Sequence, residues 1–414
     1  MRIIPFDSED IRKLEKDYRT PFYIYDEKEI RRRARLINKA FSWNEGFKEY
    51  FAVKALPNPS ILKILKEEGC GLDCASMVEI MLAERCNISG HDIMFTSNEN
   101  QDEDYLEALK AGAIVNLDAY EQIDNYLEVI ENNDFSLPDT VCMRYNCGSF
   151  SIDAGFIGEA ANSKFGMRRD QIIESIEILK DKGVIHFGIH AMFAGNVLNE
   201  KYYPLLCREV FGLVLEIKEK LGVSIEFVDM AGGIGIPYRE DEKEVDICRV
   251  GEEVKNVYEE LIVANGMKLR LCSEMGRYLT GPCGYLVTKV VGKKETYKKY
   301  IGVNASMADL MRPGMYGSYH HLEVLQDKAG DEGVFDVVGP ICENNDKFAV
   351  DRKMPEAQKG DYIVFCDTGA HSHSMGFNYN GRLRCAEFLL KENGTFELIR
   401  RRQTCEDYFA TLEV

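Results

Sequence analysis

A chain of 414 residues has room for two or three domains. Its 45% apolar content can build a large core, and its net charge of −18 argues against nucleic acid as a partner, because phosphate binding relies on clustered cations. No run approaches the ~18 apolar residues of a membrane span. The opening Met1-Arg2-Ile3-Ile4-Pro5-Phe6-Asp7 lacks the apolar core of a signal peptide, so a cytoplasmic protein with no membrane partner is expected. The 13 cysteines are an odd, scattered set with no CxxC pair, which indicates neither a disulfide framework nor a structural zinc site. Most are expected to be small buried hydrophobes.

One alternation repeats from about residue 27 to about residue 281. A helix over 27–41 precedes a strand over 49–54, and Pro59-Ser60 opens a second helix whose apolar positions Ile61, Leu62, Ile64 and Leu65 end at Gly69. A strand at 71–73 comes next, then a helix started by a capping box of Ser76 with Glu79, then a strand at 92–96. Further strands are expected at 113–117, 140–145, 185–191, 225–230 and 269–274, each separated from the last by a segment long enough for a crossover helix. Eight such units imply parallel strands with right-handed crossovers, which close naturally into a (β/α)8 barrel of the TIM type. After about Gly281 the pattern changes to short β-branched or aromatic runs at 285–291, 300–303, 334–338, 362–366, 387–390 and 396–400. These predict a C-terminal all-β domain, barrel or sandwich. The expected division is a barrel at 30–281 and a β-domain made of 282–414 together with 1–29.

Unusual residues fall at the C-terminal ends of the barrel strands, where active groups of such barrels lie. With a period of two, Tyr50, Ala52 and Lys54 share the inward face of the first strand, and Phe51 and Val53 share the other. Lysine is almost never fully buried without a partner, and a desolvated ammonium has a lowered pKa that makes it a nucleophile able to form an imine with an aldehyde. Asp73 ends the second strand, Arg144 and Asn146 the fifth, and His190 the sixth. The seventh runs into Ala231-Gly232-Gly233-Ile234-Gly235, which reads either as a tight turn or as a nest of backbone N–H groups for a phosphate. It is not the GxGxxG of a dinucleotide fold, and the phosphate pocket of such barrels usually lies after strands seven and eight. Glu274, opening Glu274-Met275-Gly276-Arg277 after the eighth strand, either pairs with Arg270 or Arg277 or faces a pyridine nitrogen. In the second case it keeps the ring protonated, so that the ring accepts the electron pair of a carbanion. An amine, a phosphate nest and a carboxylate together describe a site for pyridoxal 5'-phosphate, with no metal.

The chain resembles the fold-type III pyridoxal-phosphate decarboxylases, and among them the diaminopimelate decarboxylases, over nearly its whole length. The motifs are Tyr50-Phe51-Ala52-Val53-Lys54-Ala55, Cys70-Gly71-Leu72-Asp73, Lys164-Phe165-Gly166, Gly232-Gly233-Ile234-Gly235, Glu274-Met275-Gly276-Arg277, Arg312-Pro313 with Tyr316, Cys342-Glu343-Asn344-Asn345-Asp346 and Asn378-Tyr379-Asn380. The resemblance implies that Lys54 holds the cofactor as an imine, with Asp73 among the residues around it. It also implies that Gly232, Gly233, Gly235 and Gly276 bind the phosphate, and that Glu274 faces the ring nitrogen. Arg277, which also falls among the cofactor-binding residues, would hold the distal carboxylate of a substrate together with Arg312 and Tyr316. Cys342, as proton donor near the α-carbon, and Glu343, as reader of the distal ammonium, would come from the second subunit of a head-to-tail homodimer. From the sequence alone Cys342 is equally one more buried thiol.

Three departures from the family pattern stand out. Met192, in Gly188-Ile189-His190-Ala191-Met192-Phe193, occupies the place of a histidine stacked on the cofactor ring, and His190 lies two residues earlier on the same face, so either side chain could cover the ring. His371 replaces a phosphate-binding tyrosine, and Met275 replaces a proline. The activity implied is decarboxylation of meso-2,6-diaminopimelate to L-lysine and carbon dioxide. The alternative is a related decarboxylase acting on carboxynorspermidine, ornithine or arginine. Arg277 and Arg312 favour a distal carboxylate, which a planar guanidinium meets with two hydrogen bonds. A racemase would want a tyrosine where Cys342-Glu343 stands, and a binding protein without catalysis would have no use for Lys54, Glu274 and Cys342 together.

Overall fold

The computed structural model describes residues 3–149, 151–152, 155–156, 162–326 and 330–413. The chain forms two compact units. One comprises residues 31–236 and 244–278; the other gathers the N-terminal stretch to Ile30, the segment Pro237–Lys243 and the chain from Leu279 onward.

The first unit is a closed parallel barrel of eight strands: β1 Lys48–Ala52, β2 Gly71–Cys74, β3 Ile93–Ser97, β4 Ile114–Leu117, β5 Thr140–Arg144, β6 His186–His190, β7 Ile225–Asp229 and β8 Arg270–Ser273. They follow one another around the barrel in chain order, β8 closing on β1. The crossover helices begin where the sequence places starts. Asn58 caps Pro59–Glu67 by accepting from the Ser60 N–H at 3.0 Å. Before Met77–Arg85 the predicted reciprocal box is incomplete: Ser76 accepts from the Glu79 N–H, but the Glu79 carboxylate takes the Ala75 N–H at 2.7 Å instead of that of Ser76.

Strand periodicity divides the barrel interior into two layers. Tyr50, Met94, Ile114, Cys142, Phe227 and Cys272 form a buried apolar layer. Glycine is required in this layer where the rings lie: a Cβ at Gly71 would stand 2.6 Å from Tyr50 Cδ1, and one at Gly188 2.1 Å from Phe227 Cζ. Two residues further along each strand, on the same face, stand Asp73, Thr96, Asn116, Arg144, His190, Asp229 and Glu274. All but Arg144 are buried.

The second unit is built on a nine-stranded mixed sheet. Lys347–Pro355, Glu332–Val338, Lys299–Val303, Gly284–Glu295, Phe22–Asp26, Ala386–Leu390 and Phe396–Arg400 follow in that order. Tyr362–Phe365 pairs with both Gly284–Glu295 and Leu322–Leu325. Phe22, Ile24, Tyr285, Val287, Val364 and Phe388 are among the buried residues of its core. Three of these strands, Phe22–Asp26, Leu322–Leu325 and Lys347–Pro355, go beyond those predicted. The last carries four charged residues, which hide its alternation. Among the described residues no helix is long and apolar enough to cross a membrane.

Candidate active site

Lys54 does not end the strand. β1 stops at Ala52, and Lys54 lies in the 3₁₀ turn Val53–Ala55, its side chain half exposed. Its Nζ stands 3.1 Å from Asp73 Oδ2. The expectation of a lowered pKa is also overturned: the charge of Asp73, with Glu274 behind it, outweighs burial and holds Lys54 above its ordinary value. Burial and the neighbouring Glu274 push Asp73 up as well, to about 7 despite Lys54, and Asp73 Oδ1 has no hydrogen-bond partner.

Glu274 pairs with neither Arg270 nor Arg277. His190 Nε2 lies 3.1 Å from its Oε2, and Thr96 Oγ1 3.5 Å from its Oε1. Asn116 Nδ2 donates to Thr96 at 3.2 Å. Burial alone would raise Glu274, but the charge and hydrogen bond of His190, followed by Lys54 and Arg144, hold it below the ordinary carboxylate value. Asp229 is pushed well up by burial and by Glu274; its Oδ1 accepts from the Ala231 N–H at 2.7 Å, and its Oδ2 has no partner. Of the two side chains considered for covering a ring, His190 is 1% exposed and turned onto Glu274, whereas Met192 lies past the end of β6 and is 39% exposed.

The loop after β7 is packed too closely for side chains. A Cβ at Gly233, where φ is +104°, would meet Tyr202 Cε1 at 2.6 Å, one at Gly232 the Glu274 carbonyl at 2.8 Å, and one at Gly235 the Asn196 backbone at 2.6 Å. After β8, a Cβ at Gly276 would stand 2.8 Å from Ala55 Cβ. Among the described residues no hydrogen bond engages the N–H groups of Gly232 or Gly233, as a phosphate nest requires, whereas that of Gly235, predicted to join the nest, already donates to the Val197 carbonyl at 2.8 Å. Both loops are tied from within the barrel wall: Tyr203 donates to the Ala231 carbonyl at 2.7 Å, and the buried Glu49 accepts from the Met275 N–H at 2.6 Å and from Ser273 Oγ. The Lys164-Phe165-Gly166 motif is tied as well. Asp118 accepts from the Gly166 N–H at 3.1 Å and from Arg144 at 3.0 Å, and the Arg144 guanidinium lies 4.4 Å from the Phe165 ring centroid.

The remaining predicted residues belong to the second unit, apart from Arg277, which opens the short helix Arg277–Thr280. Arg312 and Tyr316 bracket the helix Arg312–Tyr316, with the guanidinium 5.3 Å from the exposed tyrosine ring. Cys342 is exposed rather than one more buried thiol, and its N–H donates to Asn380 Oδ1 at 2.6 Å. Glu343 accepts from the Asn345 N–H at 3.1 Å, and buried Asp346 braces the same turn by accepting from the N–H groups of Met307 and Ile341. His371 has φ +52°, a left-handed backbone in a tight turn. Thr96, Asn116, Asp229 and Glu49 went unrecognised in the sequence. The first three carried a signal all the same, since each stands two positions beyond an inward apolar residue.

Residues 27–281 match the family described as pyridoxal-dependent decarboxylase, pyridoxal binding domain. The chain is 40% identical over 401 residues to Protein TabA of Pseudomonas amygdali pv. tabaci, covering 97% of this chain and 93% of that protein. It is 33% identical over 407 residues to a diaminopimelate decarboxylase of Methanothermobacter thermautotrophicus, covering 96% and 92%. The crystal structure of diaminopimelate decarboxylase from M. jannaschii superposes with a TM-score of 0.91 at 28% identity, over 97% of this chain and 94% of that one. The Helicobacter pylori enzyme in complex with L-lysine gives 0.87 at 25%, over 97% and 98%. The barrel mouth fits a group with an aldehyde, a phosphate and a ring nitrogen: it offers the Lys54 amine, glycine loops without room for a Cβ, and the buried Glu274 carboxylate.

Proposed function

The chain belongs to the pyridoxal-dependent decarboxylases, with pyridoxal 5'-phosphate as cofactor, and from that premise we propose that it converts meso-2,6-diaminopimelate to L-lysine and carbon dioxide. The observation carrying this reading is the presence of two guanidinium groups, Arg277 and Arg312, in a chain similar to diaminopimelate decarboxylases along almost its entire length. A distal carboxylate is the substrate feature that such groups recognise in two hydrogen bonds.

The cofactor supplies an electron sink for the pair left on the α-carbon when the bond to the carboxylate breaks. The chain's own residues do the rest. Lys54 holds the cofactor covalently between turnovers, and Asp73 stands beside its Nζ to take up or return a proton. Gly232, Gly233 and Gly276, with His371, would receive the phosphate, and Gly235, whose N–H donates to the Val197 carbonyl at 2.8 Å, would shape the loop around it; Glu274 would answer the ring nitrogen with a negative charge. Arg277, Arg312 and Tyr316 orient the distal carboxylate. The exposed Cys342 returns a proton to the α-carbon, and Glu343 meets the distal ammonium, both across a head-to-tail homodimer. The barrel at 30–281 would thus carry the cofactor and the β-domain the groups lent to the partner, in a cytoplasmic enzyme.

Incubation with meso-diaminopimelate, carboxynorspermidine, ornithine and arginine, measuring carbon dioxide, tests the substrate. Release from one of the other three with none from diaminopimelate would replace the reading. The greater identity to TabA than to the diaminopimelate decarboxylases keeps a related amino acid such as carboxynorspermidine as the second reading. Subunit sharing is tested by mixing Lys54→Ala with Cys342→Ala protein. Random re-pairing restores up to about a quarter of wild-type activity, because half the dimers are mixed and each has one intact site of two.

A further inference from the structure

We propose that His190 is a positioning residue for Glu274: it donates from Nε2 to the carboxylate and, with Thr96 on the other oxygen, fixes the plane in which Glu274 meets the cofactor. This rests on the reading of Glu274 as the partner of the ring nitrogen and gives His190 a place beside the carboxylate rather than over the ring.

Three observations carry the inference. His190 is 1% exposed, and its Nε2 to Oε2 distance of 3.1 Å is that of a normal hydrogen bond. Its Nδ1 has no hydrogen-bond partner, so the ring serves Glu274 and nothing else among the described residues. Finally, the carboxylate is gripped from two strands remote in the chain: Thr96 on β3, itself held by Asn116 on β4, and His190 on β6. A carboxylate at a strand end with one tether can rotate about its terminal bond. With both oxygens engaged it cannot rotate without breaking a hydrogen bond, and a preorganised charge needs no reorganisation when the reaction calls on it.

The charged surroundings explain why a donor is needed there. Glu274 shares the layer with Asp73 and Asp229, and its charge raises both of them and the buried Glu49 of β1, so it is the carboxylate of this group that holds the negative charge, against the cost of its own burial. Lys54, Arg144 and His190 oppose that cost, and the effect of His190 on Glu274 exceeds that of the other two.

The test compares His190→Leu, His190→Gln and Glu274→Gln. Leucine fills the space without a donor, and glutamine returns an N–H near the Nε2 position. His190→Leu is expected to retain borohydride-fixable cofactor on Lys54. Its kcat should fall roughly ten- to hundredfold, the usual effect of removing the group that orients a functional ligand, with KM within about threefold. The pH titration of the bound cofactor's absorbance should move with it. His190→Gln is expected to restore much of the turnover and the wild-type titration. Wild-type turnover and titration in His190→Leu, or a His190→Gln no better than leucine, overturns the proposal. Undiminished turnover in Glu274→Gln overturns the underlying reading of Glu274 instead. A second measurement requires no folded leucine variant: in ¹⁵N-histidine-labelled apoprotein, the Nε2 resonance that His190→Gln removes should shift in Glu274→Gln. A resonance that stays in place overturns the contact.

Discussion

Each of the two units buries a glutamate beside a histidine, and the two clusters are finished differently. In the second unit Glu387 accepts from Tyr25 Oη at 2.7 Å and from Arg400 Nε. Its neighbour His373 uses both ring nitrogens: Nδ1 accepts from Arg384 at 3.0 Å and Nε2 donates to the Cys385 carbonyl at 3.2 Å. That arrangement is the neutral imidazole, and burial accordingly pushes His373 down to about 4. The barrel cluster is left open by contrast. Asp73 Oδ1, Asn116 Oδ1, His190 Nδ1 and Asp229 Oδ2 are all buried without partners. An unpaired buried polar atom costs about 1–3 kcal/mol, so several at one strand-end layer mark a place where structure has yielded to function. Burial and a carboxylate–histidine pair are common to both clusters; only the completeness of the hydrogen bonding separates structural from functional.

The strongest way to break this comparison is Lys54→Ala. Among the described residues no other lysine directly follows the C-terminal end of a barrel strand, so the variant is expected to lose all covalent cofactor, read by borohydride reduction and peptide mapping. A label on a different lysine would move the site elsewhere. Next comes a matched pair of substitutions. Glu274→Gln should keep the cofactor and lose roughly two to four orders of magnitude in kcat, the range for one preorganised electrostatic partner. Glu387→Gln should leave kcat unchanged while lowering stability by about 1–3 kcal/mol, as leaving the buried partners of a carboxylate imperfectly satisfied does. Denaturant unfolding and steady-state rates on the same two proteins decide it, and an exchange of the two phenotypes would refute the comparison.

Acid sensitivity sharpens it. The folded pKa of His373 lies at about 4, below the ordinary 6.5. The unfolded chain therefore takes up its proton first, and the associated stability is complete above about pH 6.5 and drains away as pH falls toward 4. The loss is on the order of 3 kcal/mol. His373→Asn should flatten the stability profile across that window, measured as denaturant midpoints at pH 7 and pH 4.5. An unchanged slope would mean that the histidine is protonated in the folded protein.

Much of this was legible in the sequence because a strand has a period of two and a barrel strand has one interior face. Those facts alone pointed to eight units and put Lys54, Asp73, His190 and Glu274 at one rim. What escaped was set by contacts between strands distant in the chain. The pKa of Lys54 is raised rather than lowered because Asp73 stands opposite on β2, and no local pattern announces a pairing in space. Thr96 and Asn116 passed as ordinary strand residues for the same reason. Their function lies in a hydrogen-bond chain leading to a carboxylate about 150 residues or more away. In the second unit Lys347–Pro355 was missed because an edge strand presents charges where a central one presents an apolar face.

The smallest expected effect comes from Thr96→Val, and it ranks the two tethers of Glu274. At 3.5 Å the threonine hydroxyl is at the limit of a hydrogen bond, whereas His190 at 3.1 Å is well inside it. Valine keeps the shape, so Glu274 should stay in place on His190 alone, and turnover should fall by no more than about fivefold, equivalent to the ~1 kcal/mol of a weak hydrogen bond. Stability should suffer more than catalysis, because Asn116, whose Oδ1 is already without a partner, then loses the acceptor for its Nδ2 as well. Leaving that buried amide unsatisfied costs about 1–3 kcal/mol, visible as a lowered denaturant midpoint. A Thr96→Val protein that loses turnover as heavily as His190→Leu would show that the hydroxyl, not the imidazole, sets the carboxylate, and the ranking of the two would reverse.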